Sequence, residues 1–438
     1  MTSRSTPPAA PRPGAIPQPA ASPATPSPLA AQAAGATPDA AGGDRFRVRS
    51  VTLLRLLRTV AVLACLIAGA VGAFVLSTTS TSLGEIGTGT QQILRLQQIK
   101  GDILRADGLA THGLAQGTPA AALTEYNEAL REASTLIVEA SRAQAYDQAQ
   151  LTAVNGGLVT YVLTMERART AYPADNAAGL RHVADASATL TGETIPALDT
   201  LIAANTARVD AARAGDRLWA VALALIPVLL LLGISVWLAR RTKRVLNIGL
   251  VLALASSVLL WQLVDTNLAQ SAAVVDGARQ GSLRTASAAG TAYAKLAEAK
   301  AIGGRQLLQP AQAAALQASW SAAMAEVGGA VGKLDNQSTA DVGAYRAAHE
   351  SLVALLNANR VTEARAAAAN TTTGVNPTYR TASDGLLRTF EEARVATASD
   401  MGAQQQNLQL AWILALLLGL FGAGASWFGI TQRLREYR

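Results

Sequence analysis

Four apolar stretches, at residues 51–76, 218–239, 245–264 and 410–430, constrain this 438-residue chain more than any other feature. Each is close to the ~20 residues that carry a helix across a bilayer. Trp219–Ala239, Val245–Val264 and Leu410–Ile430 hold no charged residue. Arg55 and Arg58 lie in the first third of the first stretch, from where a long side chain can snorkel to the nearer interface. Trp261, Trp412 and Trp427 stand near span ends, where an amphipathic ring is at home. The first stretch starts too far into the chain, and is too long, for a cleaved signal peptide.

The charges sort with these spans. Residues 1–50 carry +3, Arg55 and Arg58 add two, the loop 240–244 carries +4 and the tail 431–438 carries +2. The two long segments, 77–217 and 265–409, carry −4 and 0. The formal charge of +7 is thus a surplus on short flanks. That pattern predicts both termini and the loop 240–244 on the cytoplasmic side of the plasma membrane, with two large domains outside. It also removes nucleic acid from the partners a basic chain suggests, because no large segment is basic.

Residues 1–45 hold ten of the sixteen prolines and almost no large apolar side chain. Such a segment has too little to bury and is predicted to be a disordered tail, here 1–50. The order span, outer segment, span then occurs twice, in 51–239 and 245–430. The outer segments have similar lengths, and Pro119 and Pro310 end a long first segment in each. An Ala-Arg-Val precedes the second span of each half, at 207–209 and 393–395. We read a tandem duplication with both halves running in the same sense.

Both outer segments read as helical. Leu96, Ile99, Ile103, Ala106 and Ala110 follow a 3-4 spacing, as do Ala289, Ala292, Leu296, Ala299 and Gly303. Leu198, Ile202, Asn205, Val209 and Ala212 repeat it before the second span. Such seams predict helices packed as bundles, and strand patterning is nearly absent. Breaks are expected near Gly117–Pro119, Ala143–Tyr146, Tyr172–Pro173, Gln309–Pro310, Asp335–Thr339 and Asn370–Pro377, and a kink or break at Pro196. The fold class is therefore an all-α membrane protein with four transmembrane helices and two extracytoplasmic four-helix bundles, at 77–217 and 265–409.

No constellation for catalysis is present, so no enzyme, cofactor or metal is expected. His112, His182 and His349 are scattered and read as solvated. Asp102 and Asp107 are five apart, on different helix faces, and read as bundle surface. The only cysteine, Cys65, lies in the first span and reads as a small apolar residue there. Beyond Arg55 and Arg58 the spans hold no ionisable residue, which argues against a coupled transporter. Gly69 and Gly72, with Gly419, Gly422 and Gly424, offer a surface for close helix packing. Asn205, polar in an apolar seam, is a candidate for fixing bundle register. Arg240, Arg241, Lys243 and Arg244 are candidate contacts for anionic lipid or a cytoplasmic partner.

Span, helical bundle, span is the layout of bacterial chemoreceptor and sensor-kinase input modules, and this chain resembles two of them in tandem. No HAMP-like segment, kinase or cyclase is recognised among its expected cytoplasmic segments, so a separate partner is expected to supply the output. With its length, Pro/Ala-rich tail and patterns such as Ile99-Lys100 and Leu104-Arg105-Ala106-Asp107, it resembles an actinobacterial four-span sensor family. That family is encoded with a glutamate/aspartate-binding lipoprotein and a protein kinase G-type Ser/Thr kinase. The resemblance implies a transducer that relays amino-acid status from the lipoprotein to the kinase, and a homodimer is compatible with it. A structural envelope scaffold and an accessory subunit of a transporter are the alternatives.

Overall fold

The computed structural model describes residues 42–212, 217–242 and 247–436, and contacts divide the chain into two units, Met1–Thr52 and Leu53–Arg438. Of the first unit only the start of a helix is described, so the account below concerns the second. The proline-rich tail, Gly215, Lys243 and Arg244 lie outside the described residues, as does the side chain of Arg241.

Among the described residues twelve α-helices carry the fold: α1 Gly42–Ala115, α2 Ala120–Ala143, α3 Gln148–Ala171, α4 Asn176–Thr189, α5 Ile195–Ala212, α6 Arg217–Thr242, α7 Ile248–Gln280, α8 Ser282–Leu308, α9 Ala313–Val331, α10 Asn336–Asn357, α11 Val361–Ala369 and α12 Val375–Glu436. No strand occurs among the described residues. Among the described residues four helices, α1, α6, α7 and α12, are long and apolar enough to cross a membrane. The chain is an all-α membrane protein. Large apolar side chains that are exposed concentrate in these four, among them Ile67, Phe74, Ile226, Leu259, Phe421 and Phe428. A soluble protein would not leave such a belt uncovered, whereas lipid covers it without cost.

Small residues set the span packing. A Cβ on Gly419 would stand 2.6 Å from the Cα of Gly69, so α1 and α12 cross backbone to backbone. Gly249 of α7 and Gly429 of α12 meet in the same way. Gly422 lies against Ser256 and Cys65, and Gly72 against Leu260 and Val264. Cys65 faces helices rather than lipid, with its Sγ 3.6 Å from the Ser426 hydroxyl. Arg58 lays its guanidinium 3.9 Å over the Trp427 ring, which shelters the charge near the span end. Replacing Gly419 by Leu is expected to cost about 3 kcal/mol, because a backbone rather than a rotamer must move. Gly424 has nothing within 4 Å, so Gly424→Leu on the same helix is the matched control. Thermal unfolding in lipid nanodiscs checks the pair; equal losses would deny the close crossing.

The helix breaks have local causes. Gly117 at φ +82° and Thr118 at φ +57° turn the chain before Pro119 opens α2. A 3-10 turn at Ala145–Asp147 separates α2 from α3. Asp335 caps α10 through its carboxylate and the Ser338 N–H. Near Pro196 the expected kink takes the form of a π-helical turn, Leu190–Thr194, between α4 and α5. A widened turn absorbs the missing proline N–H without ending the helix. Two breaks are additional to the expected ones: Gly281 divides α7 from α8, and Asn359 at φ +57° divides α10 from α11. The described residues of the second outer segment therefore form two more helices than the four expected, α7 to α12.

The two bundles share one core. Leu96, Ile99 and Ile103 of α1 belong to the same apolar cluster as Tyr161 of α3, Leu198 of α5, Leu296 of α8, Trp320 of α9 and Leu386 of α12. Every residue of α1 from Gly101 to Ala115 is buried except the half-buried Arg105. A helix apolar or tightly packed all round is an interior helix. Here α1 is interior because its second face packs on α8.

Candidate functional site

The α1–α8 face is where the unusual chemistry collects. The two helices run parallel, in constant register. Gln97 bonds Ser287 at a separation of 190 residues, Thr111 reaches the Ala301 carbonyl at 190, and Tyr293 bonds Asp102 at 191. Glycines permit the approach. A Cβ on Gly101 would fall 2.3 Å from the Tyr293 ring, one on Gly108 3.2 Å from the Ala297 carbonyl, and one on Gly304 2.7 Å from the His112 backbone nitrogen.

Charged groups lie inside this face, and both aspartates expected on the bundle surface are buried. Asp102 accepts the Tyr293 hydroxyl at 2.8 Å, while its other oxygen has no partner. Burial pushes its carboxyl up to about 7; the Tyr293 hydroxyl and Arg105 hold it down, and Glu132 pushes further up. Asp107 turns toward the first bundle, where Tyr161 and Ser187 donate to it at 3.3 and 3.4 Å. Burial raises its pKa as well, against the charge of Arg305 and these two bonds. Five residues apart, the two carboxylates do face different ways, but each direction is occupied by a packed helix.

Two of the three histidines are buried too. His349 stacks on Trp320 with ring centroids 4.0 Å apart and touches the Gly303 position. Burial, with the Lys300 charge, brings its pKa down to about 3. His112 is 4% exposed, and neither ring nitrogen has a hydrogen-bond partner. Burial first and the Lys300 charge second keep it neutral; the Ala368 carbonyl opposes this, but already accepts from Gln116 and Asn376. His182 is half-buried on α4.

At the far end of the face, where α1 ends and α2 and α12 begin, a pocket of about 170 Å³ opens. Its polar lining includes His112, Glu125, Lys300, Asn376 and Arg380. The Asn370–Pro377 segment forms one rim: Asn370 closes its own turn by accepting from the Thr372 and Thr373 N–H groups, and Asn376 lies in the first turn of α12. Lys300 is 2% exposed and donates to the Asn376 Oδ1 at 2.5 Å. Its Nζ lies 5.1 Å from the centre of the Tyr379 ring. Glu125 of α2 pairs with Arg380 of α12 across the two bundles. A larger pocket, about 370 Å³, sits where the bundles meet the spans, between Thr79 and Leu83 of α1 and Leu268 and Ser271 of α7.

The expected register residue, Asn205, is buried on α5 and donates to Asp147 Oδ2 at 2.8 Å and to its own helix at Leu201. Asp147 is a hub the spacing did not reveal. It also accepts from Gln92 at 3.2 Å and Arg208 at 2.6 Å, tying α1, the α2–α3 turn and α5 together. Arg208 lies 3.9 Å over the Tyr146 ring. Of the basic-loop candidates, Arg240 is exposed at the end of α6. Among the described residues no group of His, Cys, Asp and Glu is placed to hold a metal.

Residues 82–214, most of the outer part of α1 through α5, match the family model of an actinobacterial sensor domain. No curated protein and no solved structure matches the chain.

Proposed function

We propose that this protein is a transmembrane sensor that relays extracytoplasmic solute status to a separate cytoplasmic effector. The observation that carries this reading is the match of residues 82–214 to a sensor domain, because that region includes the part of α1 continuous with a span. The flanking charges support a plasma-membrane topology with both termini and the 240–244 loop in the cytoplasm and both bundles outside. The constant register of α1 against α8 supports a tandem duplication, in which equivalent helices of the two halves pair as they would in a parallel dimer.

The mechanism follows from helix continuity. From the end of its span α1 continues for roughly 55 Å to the distal pocket. The helix α12 starts at that pocket and runs through the fourth span. A ligand or partner that favours one packing of α1 on α8 biases the span ends by shifts of ~1–2 Å. In this reading the span ends hand the signal to a separate cytoplasmic partner. A Ser/Thr kinase inside and a solute-binding lipoprotein outside are the partners this reading names, and amino acids the solutes.

The test compares Ser/Thr phosphorylation in cells with and without the protein after an amino-acid shift. The response is expected to require the protein, while initial uptake of labelled amino acid is unchanged. A phosphorylation response that persists in the deletion strain overturns the sensor; reduced uptake with an intact response favours a transport accessory.

A further inference from the structure

We propose that the distal pocket between the bundles binds a small organic carboxylate directly, with Lys300 and Arg380 as its cationic contacts and His112 and Asn376 beside them. This rests on the sensor reading for its purpose but not for its chemistry.

The first argument is an uncompensated cation. Lys300 has three donors and is 2% exposed, yet its hydrogen bond goes to a neutral amide, Asn376. The nearby carboxylate, Glu125, is engaged by Arg380. A buried ammonium without a counterion is costly, and its neighbours do not supply one. The groups facing it are His112 on α1, Glu125 on α2, His349 on α10 and Tyr379 and Arg380 on α12. Both histidines are held neutral, so none of them competes for an anion as a second charge.

The second argument is the pocket itself. His112, on the lining of this pocket, carries two buried ring nitrogens without a hydrogen-bond partner. The first turn of α2, Ala121 and Ala122, also lines it, and no side chain caps that helix start. Leu109, Pro119 and Ala122 give an apolar wall, which an inorganic ion would leave unused and a short carbon chain would cover. The volume of about 170 Å³ suits a molecule of a few carbons.

Burial draws the Lys300 ammonium down to about 7; Glu125 opposes this and Arg380 adds to it. A bound carboxylate would restore the proton. Binding at pH 8 is therefore expected to take up a proton, and affinity to fall as pH rises above 7.

The experiment uses the full chain in lipid nanodiscs, with malonate, succinate and glutarate as probes, succinamide as the neutral analogue and sulfate as the inorganic anion. At least one dicarboxylate is expected to raise the unfolding temperature and, in titration calorimetry at pH 8, to take up a proton; succinamide and sulfate should do neither. Lys300→Met, which keeps the stem's shape, should fold and bind the active probe about 10–100-fold more weakly. Asn376→Asp supplies the missing carboxylate from within; it should stabilise the free protein and abolish the response. No response to any of the three acids, an equal response to sulfate, or an undiminished response in both variants overturns the site. Loss of binding in the variants with an intact phosphorylation response in cells sinks the site as the sensing element and leaves the sensor standing. Binding without any dependence of phosphorylation on the protein does the reverse.

Discussion

Asp102→Asn is expected to stabilise the folded protein by about 2–4 kcal/mol at pH 8 and to change it little at pH 4. The carboxyl is fully buried at the α1–α8 face, with one oxygen on the Tyr293 hydroxyl and the other unpartnered. Its pKa rises to about 7 on folding, from about 3.9 in an unfolded chain. Between these values the folded state holds the proton more tightly, so stability falls as pH rises from about 4 to about 7 and is flat above. Asparagine keeps the acceptor for Tyr293 and has no charge to lose. Its amide still lacks a partner where Oδ2 stood, which limits the gain. Unfolding in denaturant from pH 4 to pH 8 checks this, and a variant profile that superposes on wild type would refute it.

Lys300 contributes the opposite slope. Its folded pKa of about 7 lies below the roughly 10.4 of a free lysine, so its share of stability is lost as pH falls from about 10 to about 7. Together the two groups place the weakest point of the interface near neutral pH. A receiver that must change packing when a ligand arrives is served by a face held with little surplus.

Much of this was legible in the chain, and the rest was hidden for one physical reason. The seam Leu96, Ile99, Ile103, Ala106, Ala110 is buried along its length, and the matching seam of α8 likewise. Both follow from a 3-4 apolar spacing, which depends on local order alone. Gly69 and Gly419 meet because close span packing selects small residues. What spacing could not reveal is that α1 is buried on a second face. Polarity at Asp102, Asp107 and His112 argues for water under the assumption of two separate bundles, and each of these instead meets a specific partner or pocket across α8, α3 or α12. A signal was available: Gly101 and Gly108 lie seven apart on α1, and Gly290, Gly303 and Gly304 interrupt α8, which is the small-residue signature of two helices in close approach. The Asp147 hub was hidden differently, because its three donors come from residues 92, 205 and 208, and no local pattern links them.

Gly304→Leu is expected to lower stability by about 3 kcal/mol or more and to part the two bundles. A Cβ there would stand 2.6 Å from the Thr111 hydroxyl and 2.7 Å from the His112 backbone nitrogen. The hydroxyl can rotate away; the backbone of an interior helix cannot, so α1 and α8 must separate. Gly329 of α9 has nothing within 4 Å, and Gly329→Ala should instead gain about 0.5–1 kcal/mol from helix propensity. Separation has its own readout. Gln97 Nε2 reaches to 3.5 Å from the Ser287 hydroxyl across the face, so cysteines at both positions are expected to be joined by a short bismaleimide crosslinker in the otherwise wild-type chain and not in the Gly304→Leu background. Cys65, buried among the spans, is too remote to intervene. If Gly304→Leu were neutral and the crosslink unaffected, the two bundles would be independent modules. Signals would then have to travel down each pair of helices separately, and the distal pocket would lose the wall that α8 provides.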